Sequence, residues 1–192
     1  MTTKFIDFNK PQNKLNDCDI IMLDTCVMIN LASKDSAALE FVRYTLQNNI
    51  MLCYSSKSIE EIYIRSQSKN IPKDKRQAIP KIDIYINDSF NDADSIINAV
   101  NILPNMFKEP IGVVSPDNIK NIRNNSIQHT LGWGDATIYT LAKENEINHI
   151  WTVDRDWSRV KDSDMTIITE KRFIPKNISN NIVNIQNESI AK

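Results

Sequence analysis

The stretch whose reading decides the fold is Ile20-Ile21-Met22-Leu23-Asp24-Thr25-Cys26-Val27-Met28-Ile29-Asn30. A short apolar run bounded by polar residues reads as a strand buried in a parallel sheet. It ends on Asp24, and the small polar Thr25 follows as a residue suited to cap a helix. In open α/β sheets, ligands and chemistry collect at the carboxyl ends of the strands. Asp24 is therefore a site candidate, although a strand-end aspartate is also a common helix cap.

Outward from this stretch the pattern repeats. The strand at 18–24 leads into a helix beginning with Val27, Met28, Ile29 and Leu31, and Asp35-Ser36 caps the next, which carries Leu39, Val42, Tyr44 and Leu46. Ile50-Met51-Leu52-Cys53-Tyr54 is a second strand-length run, and Ser55-Ser56 open a helix with Ile59, Ile62, Tyr63 and Ile64. Strand, helix, strand, helix is the grammar of a parallel α/β sheet. Between about 65 and 130 that grammar loosens around Pro72, Pro80, Pro104, Pro110 and Pro116, but the isoleucine spacing still predicts several helices. Ser115-Pro116-Asp117 is a helix start, with proline at the first helical position. The α/β pattern resumes with a helix at 134–143, a strand over His149–Asp154 and a short strand over Met165–Thr169. The first 16 residues read as a loosely held polar lead-in, and 170–192 as a short helix or loose tail.

The chain's 192 residues suffice for one domain, 1–192, with a core at about 18–64 and 131–169 and a helical insertion at about 65–130. A net charge of −1 argues against a nucleic-acid binder that works by overall positive charge, while leaving room for a local basic patch beside an acidic metal centre. Cys18, Cys26 and Cys53 lie in or beside apolar runs, with no C-x-x-C pair and no Cys/His cluster, so reduced buried thiols are expected and structural zinc is not. No signal-peptide core or membrane-length apolar run is present, which places the protein in the cytoplasm.

Acids recur at equivalent places. Asp24 and Asp154 each close an apolar strand, so a parallel sheet would bring both to one edge. Asp135 is in line with Ile138, Tyr139 and Ala142, on the apolar side of its helix, where a carboxylate is costly unless something pairs with it. Two of the chain's three glycines, Gly132 and Gly134, flank Trp133 just ahead of it and imply close approach of the backbone. Glu60-Glu61 is the fourth place; periodicity does not choose between them, and Ile64 mildly favours Glu60 as the inward residue. Convergent carboxylates suit Mg²⁺ or Mn²⁺, hard ions that take oxygen ligands and activate water at phosphorus. Caps and surface charges are the bland alternative for each acid taken singly.

These residues resemble the PIN-domain nucleases, most closely the VapC-type toxin ribonucleases. Leu23–Ile29 looks like the family's opening motif with Asp24 as a metal ligand, and Ser55 through Ile62 looks like the second, which points to Glu61. Gly134-Asp135-Ala136 looks like the third motif, and Thr152-Val153-Asp154-Arg155-Asp156-Trp157 like the last, with Asp154 as ligand and Asp156 in second rank. The resemblance implies a Rossmann-like α/β/α fold and Mg²⁺- or Mn²⁺-dependent endoribonuclease activity as the toxin of a toxin–antitoxin or defence module. RNA is then the substrate, and a cognate antitoxin and a homodimer are the partners expected. The 65–130 insertion exceeds the usual size of such toxins. A housekeeping RNA-processing nuclease and a non-catalytic RNA-binding module are the alternative readings.

Arg65, Lys69, Lys73, Lys75, Arg76 and Lys81 form a basic stretch able to hold RNA phosphates or simply a solvated helix face. Trp133 is placed either to stack on an unpaired base or to pack internally. His129 is weighed as a proton donor and read as incidental, and Cys26 is read as buried filler. A haloacid-dehalogenase-type phosphatase would need an aspartate where Cys26 stands, and the acidic pair and lysine of a receiver domain are not found.

Overall fold

The computed structural model describes residues 3–11, 15, 17–70, 82–112 and 116–176, with side chains left out at 68–70, 82–88 and 116–117. Five strands, β1 (Lys4–Asp7), β2 (Ile20–Leu23), β3 (Met51–Tyr54), β4 (His149–Trp151) and β5 (Thr166–Thr169), form one parallel sheet in the order β1-β5-β4-β2-β3. Among the described residues six α-helices flank it: α1 (Thr25–Ala32), α2 (Ser36–Gln47), α3 (Ser56–Asn70), α4 (Ile82–Asn101), α5 (Pro116–His129) and α6 (Trp133–Glu144). This is the α/β architecture expected from the strand–helix grammar.

Side chains alternate across a strand, so each strand feeds two cores. Ile21 and Leu23 of β2 join Leu52, Tyr54, Trp151 and Ile168 in the core that takes in α1, α2 and Ile62 of α3. Met22, between them in sequence, joins Cys53, Ile150 and Ile167 in a second core with Ala136, Ile138 and Tyr139 of α6. A sheet buried on both faces needs apolar residues at consecutive positions, which is why these strands read as continuous runs.

Three boundaries differ from the sequence reading. Lys4–Asp7 is not a loose lead-in but an edge strand paired with β5 from Lys4↔Thr166 to Asp7↔Thr169. Phe5 and Ile6 enter opposite cores, and the Phe8 ring packs against Phe41 and Trp151 at centroid distances of 5.9 and 5.6 Å. A run of only two apolar residues between Lys4 and Asp7 is too short a signal to reveal a strand. Second, β4 ends at Trp151, so Asp154 stands three residues beyond the strand.

Third, part of the segment between α4 and α5 is sheet-like. The Leu52 N–H donates to the Asn105 carbonyl at 2.9 Å, Phe107 N–H to the Leu52 carbonyl at 2.8 Å, and Ile111 N–H to the Tyr54 carbonyl at 2.7 Å. This strip covers the outer edge of β3, with parallel bridges at Met106 and Ile111. Helix α4 packs on α1 and α3, and α5 on α6. Asp35 caps α2 by accepting from the Ala38 N–H at 2.9 Å, and α5 starts at Pro116, both as the residue types predict. The tail expected at 170–192 begins with a short 3-10 helix (Lys171–Phe173), and 177–192 lie outside the described residues. No helix among the described residues is long and apolar enough to cross a membrane.

Candidate active site

Strand β2 lies between β3 and β4, and the chain leaves it toward β3 before crossing to β4. That reversal makes a crevice at the carboxyl ends of the strands, the place where α/β sheets bind ligands. Helices α1 and α3 begin there because each follows its strand. Helix α6 runs back toward the start of β4, so its N-terminus reaches the same edge.

Asp24 is the first residue past β2 and is only 3% exposed. It occupies the N-cap position of α1, yet its side chain makes no capping hydrogen bond. Its carboxylate Oδ2 instead accepts from the Thr152 hydroxyl at 2.6 Å and from the Cys26 thiol at 3.0 Å. Burial raises its pKa above the ordinary carboxylate value, and the nearby Asp154 charge adds to the rise, while these two donors oppose it. The cap alternative thus does not describe what this side chain does.

Glu61 and Glu60 separate cleanly. Glu61 Oε2 accepts from the Thr25 hydroxyl at 2.8 Å, and Glu61 Oε1 lies against Gly134. Glu60 faces away and pairs with Lys57 at 2.8 Å. Ile64, which favoured Glu60, is 53% exposed and therefore does not mark the inner face; Ile62, fully buried, does.

Asp135 sits in the first turn of α6. Its pKa is raised to about 7, first by burial and then by the charges of Asp24, Asp154, Glu61 and Asp156. Asp154 caps a short 3-10 helix (Arg155–Arg159) by accepting from the Asp156 N–H at 2.9 Å, so for this acid the cap reading holds alongside its place at the site. Asp156 pairs with Arg159 at 3.0 Å. The structure therefore brings Asp24, Glu61, Asp135 and Asp154 to one edge, with Asp156 beside them and Glu60 outside.

Three side chains that hold these acids carry no obvious signal as site residues. Thr25, expected as a helix cap, orients Glu61 instead. Thr152 donates to Asp24 and accepts from the Asp154 N–H at 2.9 Å, linking two of the acids. Cys26 is not filler: besides donating to Asp24, its sulfur accepts from the Val153 N–H at 3.3 Å. The only available pointer was their adjacency to the two strand-end acids.

The expected substrate contacts are spread more widely. Arg65 is exposed on α3, one turn beyond Glu61. Lys69 belongs to α3 but its side chain lies outside the described residues, as does the whole of Lys73 together with Lys75, Arg76 and Lys81. Trp133 opens α6 with half its surface exposed, whereas Trp151 and Trp157 are fully buried. His129 is buried, packs on Tyr139 at 4.8 Å and accepts from the Lys161 N–H at 3.1 Å, a structural role.

The donor set has the right chemistry for a hard divalent cation. Four carboxylates share one edge, while Lys57, Lys143 and Arg159 pair with acids outside these four. No three acidic, histidine or cysteine side chains there close around a single point. Magnesium, which binds through one or two carboxylates and keeps several waters, suits such an open arrangement.

The family follows from this fold and this edge of acids. The PIN domain model matches residues 21–163, most of the chain, and the protein belongs to that family. PIN domains are generally nucleases, usually dependent on a divalent metal such as Mg²⁺. No curated protein matches the chain.

Proposed function

We propose that this PIN-domain protein is a Mg²⁺- or Mn²⁺-dependent endoribonuclease, the toxin of a toxin–antitoxin or defence module acting in the cytoplasm. The observation that carries the nuclease reading is the gathering of Asp24, Glu61, Asp135 and Asp154 where β2 and β4 end and α6 begins. Burial first, and then the charges of Asp24, Asp154, Glu61 and Asp156, push the Asp135 carboxyl up to about 7, in keeping with a site that takes a cation.

In this reading Asp24, Glu61, Asp135 and Asp154 would hold the metal, one or two of them directly and the others through its waters. When bound, the metal supplies an activated water and neutralises charge developing on the phosphate oxygens. The chain's own work is to place oxygens and strands of substrate. Thr152 fixes Asp24, Thr25 fixes Glu61, and the first turn of α6 presents Asp135. Arg65 and, beyond the described side chains, Lys69 and Lys73 offer charge to RNA phosphates, and Trp133 offers an exposed ring to an unpaired base. The three free thiols fit a reducing compartment.

The experiment is cleavage of RNA by the wild type and by Asp24→Asn, each with Mg²⁺ and with excess EDTA. Loss of cleavage in the mutant and in EDTA is expected, with thermal unfolding of the mutant unimpaired. Full activity in either case would overturn the mechanism. For the toxin role, induced wild type should arrest growth where Asp24→Asn does not. Equal growth of the two strains would favour a housekeeping nuclease, and binding of RNA without cleavage would favour a binding module. Copurification of a small protein encoded beside this one would test the antitoxin, and light scattering the homodimer.

A further inference from the structure

We propose that Cys26 is a positioning residue of the metal centre, its thiol acting as a clasp between the ends of β2 and β4. This rests on the metal-dependent reading above. The sulfur stands at a junction of three contacts. It donates to Asp24 Oδ2 at 3.0 Å, accepts from the Val153 N–H at 3.3 Å, and lies 3.6 Å from the Thr152 hydroxyl. Asp24 follows β2, while Thr152 and Val153 follow β4, so the contacts join two strands that are neighbours in the sheet but far apart in sequence.

The geometry gives the thiol a task that packing alone would not require. Cys26 and Thr152 both direct their hydrogens to the same oxygen, Asp24 Oδ2. Two donors on one oxygen set the rotation of the carboxylate and so the direction of the other oxygen. The Val153 amide on the sulfur fixes where the thiol sits, and Thr152 in turn receives the Asp154 N–H. Asp24 and the backbone at Asp154 are thus tied through Thr152, and Cys26 braces that tie from the α1 side. Groups that orient metal ligands in this way typically change metal affinity about 10- to 100-fold when removed.

An apolar side chain of similar size would fill the same space and make none of these bonds. A serine would keep both donor and acceptor, with a shorter reach. That difference supplies the test. Mn²⁺ binding to the purified protein is measured by calorimetry for the wild type, Cys26→Ala and Cys26→Ser, beside thermal melts and RNA cleavage kinetics. Cys26→Ala is expected to bind Mn²⁺ about tenfold more weakly and to lose kcat with KM for RNA unchanged. Cys26→Ser is expected to recover most of the affinity while melting no higher than the alanine variant.

Wild-type affinity in Cys26→Ala would overturn the proposal. So would a serine variant as weak as the alanine one, since packing would then be the whole role. A wild type that binds Mn²⁺ but cleaves no RNA would overturn the ribonuclease reading and leave the clasp standing. A wild type that binds no Mn²⁺ would overturn both.

Discussion

The Glu61 carboxylate occupies the space where a side chain at residue 134 would begin: a Cβ on Gly134 would stand 1.9 Å from Glu61 Oε1. The glycine is there so that α6 can bring Asp135 close to an acid on α3. Gly134→Ala is expected to push the flexible end of Glu61 aside and break its bond to the Thr25 hydroxyl. Because only the tip of a side chain must move, the melting temperature should change little. RNA cleavage should fall by roughly tenfold or more, as for other losses of ligand orientation. A Gly134→Ala protein with wild-type turnover would show that Glu61 need not stay in place.

The raised acids make stability and metal binding depend on pH in a stated direction. Asp135 titrates near 7 in the folded, metal-free protein, against about 3.9 in an unfolded chain. Between those values the folded state binds more protons than the unfolded one, so stability falls as pH rises through that window. Asp24, also raised, acts in the same sense. Thermal melts in EDTA should therefore show a more stable protein at pH 5 than at pH 8. Added Mg²⁺ competes with the protons, so its stabilisation should be larger at pH 8 than at pH 5. A metal-free melting temperature that rises from pH 5 to pH 8 would contradict the assignment.

The opening segment, β1 with Phe8 directly after it, should be essential to the fold. Phe8 is buried against Phe41 and Trp151, and its removal from a packed core is expected to cost about 3–5 kcal/mol. Urea denaturation of Phe8→Ala measures this directly. A loss below about 1 kcal/mol would mean that the first residues are held loosely after all.

Thiol chemistry gives a further check. Burial pushes Cys18 and Cys53 up to about 12, so almost no thiolate forms at either in the native protein at pH 8. Alkylation with iodoacetamide at that pH should leave both unmodified until denaturant is added. Rapid native labelling of either one would place it nearer the surface than it stands here.

Much of this architecture was legible because buried parallel strands leave an unmistakable trace. Ile21–Leu23 and Leu52–Tyr54 are buried with successive side chains in opposite cores, so the run stays apolar at consecutive positions. The acids followed from strand ends and from Asp135 on an apolar helix face. What stayed hidden depended on partners distant in sequence. Lys4–Asp7 becomes a strand only through β5, more than 150 residues away, and the strip at 105–111 only through β3. Glu61 is distinguished from Glu60 by a threonine hydroxyl on α1, which no periodicity along α3 encodes. Cys26 looked inert because its partners, Asp24, Thr152 and Val153, meet it only once β2 and β4 are paired.

The strand order carries a consequence for how the protein comes into being. Among the five described strands β1 is made first and β5 last, yet they are neighbours, and β5 also closes the gap between β1 and β4. During synthesis from the N-terminus, the opening strand has no partner until almost all of the described chain has emerged. Asp154 likewise joins the other acids only after the long excursion through α3 to α6. Such non-local pairing is the slow part of folding. A growing chain therefore carries its acids in separate pieces, and the site is born late, only once β4 and the turn that follows it have emerged.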